Sequence, residues 1–172
     1  MKESYAIAHE LHARAVAQGA RSDVCLCCGA VIVGGLPACY ELFAELGAQR
    51  YIDPAYAAPT LYGVDAHALQ HPEIHGKKNN AAHLLRLHWL FSRHEMARVG
   101  EIPRWWHDWL NSGDIPLLEP PRQRGDLTVM DVAVAHCVDD FARLMEAWAR
   151  SVYAAWDAHH AWAEAELRRL LR

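Results

Sequence analysis

The sequence predicts an all-α fold, a single-domain helical bundle carrying an irregular cysteine-containing loop near its N-terminus. Three observations predict it. Apolar residues recur at i, i+3, i+4 and i+7 through most of the long segments. One central segment is apolar nearly all the way round, as a helix buried inside a bundle must be. From Leu127 to Arg172 no glycine or proline interrupts the chain. A length of 172 residues suits one domain with one sizeable core.

Composition narrows the function classes. Hydrophobic residues make up 52% and charged residues 22%, and the net charge is −4 with histidine neutral. That balance does not suggest a nucleic-acid or anionic-membrane surface. No apolar run reaches transmembrane length, and the N-terminus lacks the apolar core of a signal peptide, so cytoplasmic residence is expected. In that compartment five cysteines read as thiols or metal ligands rather than disulfides. The chain also holds 12 histidines and 7 tryptophans.

The first helix is predicted over residues 3–18, with Tyr5, Ala8, Leu11, Ala15 and Val16 on one side and Gly19 as its stop. Then comes Cys25-Leu26-Cys27-Cys28-Gly29-Ala30. A C-x-x-C closed by glycine is the shape of a knuckle, a tight turn that aims two thiolates at one ion. Cys25 and Cys28 have that spacing. Cys39 follows at the start of a helix over about 37–46, which puts the knuckle region at 25–39. With no second C-x-x-C, further ligands must come from elsewhere, and either Cys27 or Cys39 could be the third thiolate.

A two-proline linker precedes a helix over 60–71, with Thr60 placed to cap it. This helix carries Val64-Asp65-Ala66-His67-Ala68-Leu69-Gln70-His71-Pro72. His67 and His71 share a face. Leu61, Val64, Ala68 and His71 form its stripe, so His71 points inward, and Pro72 should end the helix there. His75 is expected to be exposed in the polar loop beyond. The central helix is predicted over 79–99, with His83, Leu87, Leu90 and His94 along one face and His83 buried. Pro103 opens a short helix with Trp105, Trp106 and Trp109, which would cap the core, and residues 114–125 form an irregular, proline-rich connection. The last segment, 128–171, starts at a capping-box pattern of Thr128 and Asp131. Its stripe runs Met130, Val134, Val138, Phe141, Met145, Trp148, Val152, Trp156, His159, Ala163, Leu167 and Leu170. A straight helix of that length would span roughly 60 Å, too long for one compact domain, so a bend near Asp157 to His160 is expected.

Together these blocks resemble a family of small, mostly bacterial proteins of unknown function. Its members carry a CPxCGA-like knuckle, a cysteine opening the next helix, a VDAYxxQHP-like block, a histidine in the following helix, and a TVxDV start leading to a WAxSVWxAWxxHH ending. Here the matching pieces are Cys25 to Ala30, Cys39, Val64 to Pro72, His83, Thr128 to Val132, and Trp148 to Trp156 running into His159-His160. Leu26 replaces the family's proline. His67 replaces its usual tyrosine, which speaks for His71 rather than His67 as a ligand. The resemblance implies no activity.

Two functions follow. In one, Cys25, Cys28, Cys39 and His71 hold zinc, with iron or copper fitting less well. Asp65, His83, His159 and His160 then surround a cavity as catalytic groups for a small-molecule substrate, with Gln70 placed to donate to a developing oxyanion. In the other, the same four ligands form a closed structural zinc site, the histidines are bonded core residues, and the domain acts by binding a partner. Cysteines and histidines could also form two separate sites. A His71–His83–His160 site would match DinB-like bundles at the level of fold analogy alone. Haem is disfavoured, since no C-x-x-C-H occurs.

Overall fold

A computed structural model describes residues 2–75, 77–95, 98, 99, 104–111 and 115–172. They form the expected all-α, single-domain fold, built on α1 (Lys2–Ala17), α2 (Gly35–Ala48), α3 (Ala57–Gln70), α4 (Pro72–His75), α5 (Lys77–Ser92), α6 (Arg104–Asn111), α7 (Val129–Val132), α8 (Val138–Ala155) and α9 (His160–Leu170). The β-type contact among the described residues is one antiparallel bridge, Val24 to Val31, across the base of the knuckle.

The innermost element is α3. It packs on α8, α5 and α2, and from Asp65 to Gln70 every residue is buried. This corrects the stripe read from sequence, because Leu61 and Val64 are half-buried while Thr60, Tyr62 and Gly63 are buried. Gly63 is why α8 can approach so closely: a Cβ there would lie 2.6 Å from Met145 Sδ and 3.3 Å from the Phe43 ring. The helix also begins earlier than predicted. Asp53 caps a short 3-10 turn, Pro54–Tyr56, that runs into α3, so Thr60 is internal and its hydroxyl donates to Tyr56 O at 2.7 Å. Pro59 is tolerated in the first turn, where its missing N–H has no partner to lose.

As expected for a central helix, α5 buries Leu84, Leu85, Leu87 and Leu90 completely. It stops at Ser92, short of the predicted 99, and His94 falls in the following turn with φ 55°, exposed rather than on the core face. The side chain of Trp105 and residues 112–114 lie outside the described residues. Trp109 is buried and its indole donates to Glu166 Oε1 at 2.6 Å.

The C-terminal segment breaks twice. The bend near 157–160 occurs as predicted, as a 3-10 turn over Asp157–His159. A second break, between α7 and α8, was not predicted. Thr128 and Asp131 do make the capping box, but the helix they start lasts one turn and α8 starts afresh at Cys137. Asp139 and Asp140 in the first turn of α8 are the ordinary acidic start signal. The stripe therefore holds from Phe141 to Leu167, while Met130 and Val134 are exposed.

Candidate metal centre

The knuckle is a short hairpin. Cys25 N–H donates to Ala30 O and Gly29 N–H to Cys25 O, both at 2.8 Å, and Ile32 N–H donates to Asp23 O at 2.9 Å. Gly29 makes the turn possible, with φ 77°. The chain then enters α2 through Gly34 and Gly35, both left-handed, and a Cβ on Gly35 would collide with the His12 ring. Cys39 thus sits one turn into α2, facing the knuckle.

The fourth side comes from α3. Its last residues wind down at His71, whose φ −124° and ψ 51° lie outside the helical region, which Pro72 disfavours for its predecessor. The His71 ring is buried. Its Nδ1–H donates to His67 O at 2.7 Å, which turns Nε2 toward the sulfurs. Nε2 lies 3.4 Å from Cys25 Sγ and 3.5 Å from Cys39 Sγ, and Cys28 Sγ lies 3.7 Å from Cys39 Sγ. The four donor atoms of Cys25, Cys28, Cys39 and His71 all fall within 4.8 Å of one another, a group that could hold a metal ion.

Electrostatics agree with a common focus. Hydrogen bonds from Cys27, Cys28 and Cys39 hold the Cys25 thiol far below its usual range, so a thiolate forms there, while the bonds to Cys25 and Cys28, with burial, push Cys39 up. Burial opposes charge on His71, yet the Cys25 and Cys28 sulfurs outweigh it and lift the ring to about 10. An incoming cation would replace these shared protons. Cys39 is the third thiol of the group and Cys27 is outside it.

Sequence reasoning missed the brace beneath the centre. Arg124, from the irregular connection, makes a two-pronged ion pair with Glu73 of α4 at 2.6 and 2.8 Å. It also donates to Gln70 O at 2.9 Å, at the end of α3, and to Cys27 O at 3.4 Å. Nothing in a proline-rich stretch marks Arg124, rather than Arg122, as the partly buried one. Gln70 is a clamp rather than an oxyanion donor: its amide donates to Arg124 O at 3.0 Å and Leu127 O at 2.8 Å and accepts from Trp148 Nε1 at 2.9 Å, so no N–H is left to offer.

The other predicted residues fall in separate places. His67 is fully buried outside the donor group, stacked between Phe43 and His71, with Nε2 lacking a partner among the described residues. His75 was expected in solvent but is half-buried, its Nε2 3.4 Å from His67 Nδ1, and burial together with the charges of His83 and His71 lowers it to about 4. Asp65 and His83 do meet: His83 Nδ1–H donates to Asp65 Oδ1 at 2.9 Å, and Arg86 pairs with the same carboxylate at 2.6 Å. His83, expected to be buried, is instead partly exposed, because it faces a cavity of about 120 Å³ shared with Leu61, Val64 and Trp106. His159 donates to Glu119 O and His160 to Tyr153 O, both at 2.9 Å, at the α8–α9 bend. The bend that singled them out turns these histidines onto nearby carbonyls, while Asp65 and His83 line the cavity beside Trp106.

Among the described residues, no helix is long and apolar enough to cross a membrane. No curated protein and no solved structure matches the chain. Residues 23–157, which span the knuckle, all four donors, Asp65 and His83 but stop before His159, match a family of unknown function, DUF5946, and the chain belongs to that family.

Proposed function

We propose that this is a zinc-binding helical domain in which Cys25, Cys28, Cys39 and His71 close a structural four-ligand site. The observation that carries the reading is the spacing of the donors. A tetrahedral zinc with bonds of about 2.3 Å to sulfur and about 2.0–2.1 Å to nitrogen separates two sulfurs by roughly 3.8 Å and sulfur from nitrogen by roughly 3.5 Å. Three of the six donor pairs lie at 3.7 Å and 3.4–3.5 Å, and all six lie within 4.8 Å. Three thiolates and one imidazole suit zinc better than iron or copper. Four protein ligands, three of them buried, favour a closed site over a catalytic zinc with an open position. Bound there, the ion supplies cohesion: it ties the knuckle to α2 and to the end of α3.

The test is elemental analysis of protein purified without a histidine tag. One zinc per chain, lost in His71→Ala and Cys28→Ser, is the expected result. No stoichiometric metal in the parent protein would overturn the reading.

A second reading, that the domain is also an enzyme, is favoured by one observation. Asp65 accepts from His83 Nδ1–H, which leaves Nε2 as the ring's second nitrogen, and both residues line a cavity large enough for a small polar group. That pair stands apart from the cysteine centre, so any proton transfer there would use His83 and not the zinc. His83→Gln in a zinc-loaded protein would abolish such activity without changing metal content.

A further inference from the structure

Between α2 and α3 lies a cavity of about 390 Å³, lined by Tyr40, Phe43, Gly47, Thr60, Val64 and His75, with Arg50 and Tyr51 at its mouth. Its volume and mostly apolar wall with a few polar groups are those of a small-molecule site. We propose that it binds a small apolar monocarboxylate, ring or chain seated against Phe43 and Val64 and carboxylate held by Arg50.

Three observations carry this. First, Arg50 has no carboxylate partner among the described residues. Its guanidinium donates to the Tyr51 hydroxyl at 2.9 Å and lies 4.9 Å above the Tyr51 ring, whereas Arg86, Arg93, Arg124, Arg143 and Arg150 all pair with carboxylates. An unneutralised, partly buried cation at the mouth of an apolar chamber complements an anion with an apolar body. Second, the inner wall is held rigid. Phe43 stacks on His67 at 4.2 Å, His67 stacks on His71 at 4.0 Å, and Thr60 is anchored through Tyr56 O. Third, Tyr51 at the mouth is 79% exposed, a large aromatic group that a bound ligand would partly cover.

Gly47 supplies the control. A Cβ there would meet only the Thr60 methyl, at an ordinary 3.7 Å, so Gly47→Phe projects a ring into the chamber while improving the propensity of α2. The experiment is calorimetric titration of the purified protein with 1-naphthaleneacetate and with 1-naphthaleneacetamide, its neutral analogue. The acid should bind one to one and more tightly than the amide. Arg50→Gln should weaken the acid about fivefold, as for a partly exposed ion pair, and leave the amide unchanged. Gly47→Phe should remove both. Absence of saturable acid binding, equal affinity for acid and amide, or binding that survives Gly47→Phe would each overturn the proposal. Metal content measured on the same samples separates its failure from that of the zinc reading.

Discussion

At the scale of residues, the centre separates cysteines that look alike in sequence. Cys27 and Cys28 are adjacent, yet only Cys28 Sγ belongs to the four-donor group. Cys27→Ser should therefore keep one metal per chain where Cys28→Ser loses it, which elemental analysis of the two variants decides. Gln70 gives a prediction about stability. Truncation in Gln70→Ala strands the buried Trp148 indole N–H and two partly buried backbone carbonyls, where a buried unmet group costs about 1–3 kcal/mol. Urea denaturation should show a loss of about 2–4 kcal/mol, and a loss below 0.5 or so would mean water replaces the amide. These residues also measure what the sequence revealed. His71 was legible because Pro72 fixes where α3 must end and helical spacing fixes which way His71 points. Arg124 was not, because its contacts join segments far apart in the chain.

The helices are coupled by polar contacts as well as by the core. His88 of α5 accepts at Nδ1 from the Tyr153 hydroxyl of α8 at 2.8 Å and donates from Nε2–H to Glu164 of α9 at 3.2 Å, with His160 5.6 Å away between ring centres and Arg93 on the same carboxylate. Burial lowers His88, against the pull of Glu164, and lowers His160. A histidine held neutral in the fold leaves the unfolded chain binding more protons below about pH 6.5, so its contribution is intact above that pH and lost as pH falls. Thermal melts from pH 7 to 5 should show falling stability, with a shallower fall in His88→Gln; an unchanged slope would refute the assignment. The α3–α8 contact is tested by Gly63→Val. Overpacking against Met145 should cost about 1–3 kcal/mol, and a neutral result would mean that Met145 swings clear. Helix existence was readable from period and caps, because α8 buries a clean stripe and α5 is apolar nearly all the way round. The break before α8 was not: an unbroken 3.6-residue rhythm continued through Val134, and only the acidic pair after Cys137 marked a new start.

For the whole molecule, the centre forms where knuckle, α2 and α3 converge, while α9 packs on α5 and α8 packs on α3 and α5, away from the knuckle. Removing the metal with a chelator should therefore loosen one part more than the rest. Hydrogen exchange should rise across residues 23–35 and the start of α2, with α8 and α9 keeping their protection. Uniform loss of protection would mean that the bundle does not stand without its ion. The all-α class was legible from the sequence because it rests on local periodicity. That Asp65 and His83 meet while His159 and His160 turn elsewhere was not, because it depends on how α3, α5 and α9 cross.

The distance along the chain between Cys25 and His71 sets the order of events during folding. Forty-six positions separate two groups that must end 3.4 Å apart. In the chain-entropy picture of a cross-link, closing a loop of that size costs an unfolded polypeptide about 4 kcal/mol. An ion captured early would hold at most the knuckle pair, since the third and fourth donors arrive only when α2 has formed and α3 has unrolled to its final residue. On the zinc reading, full coordination is then a late event, a latch that closes once the amino-terminal half is already in place.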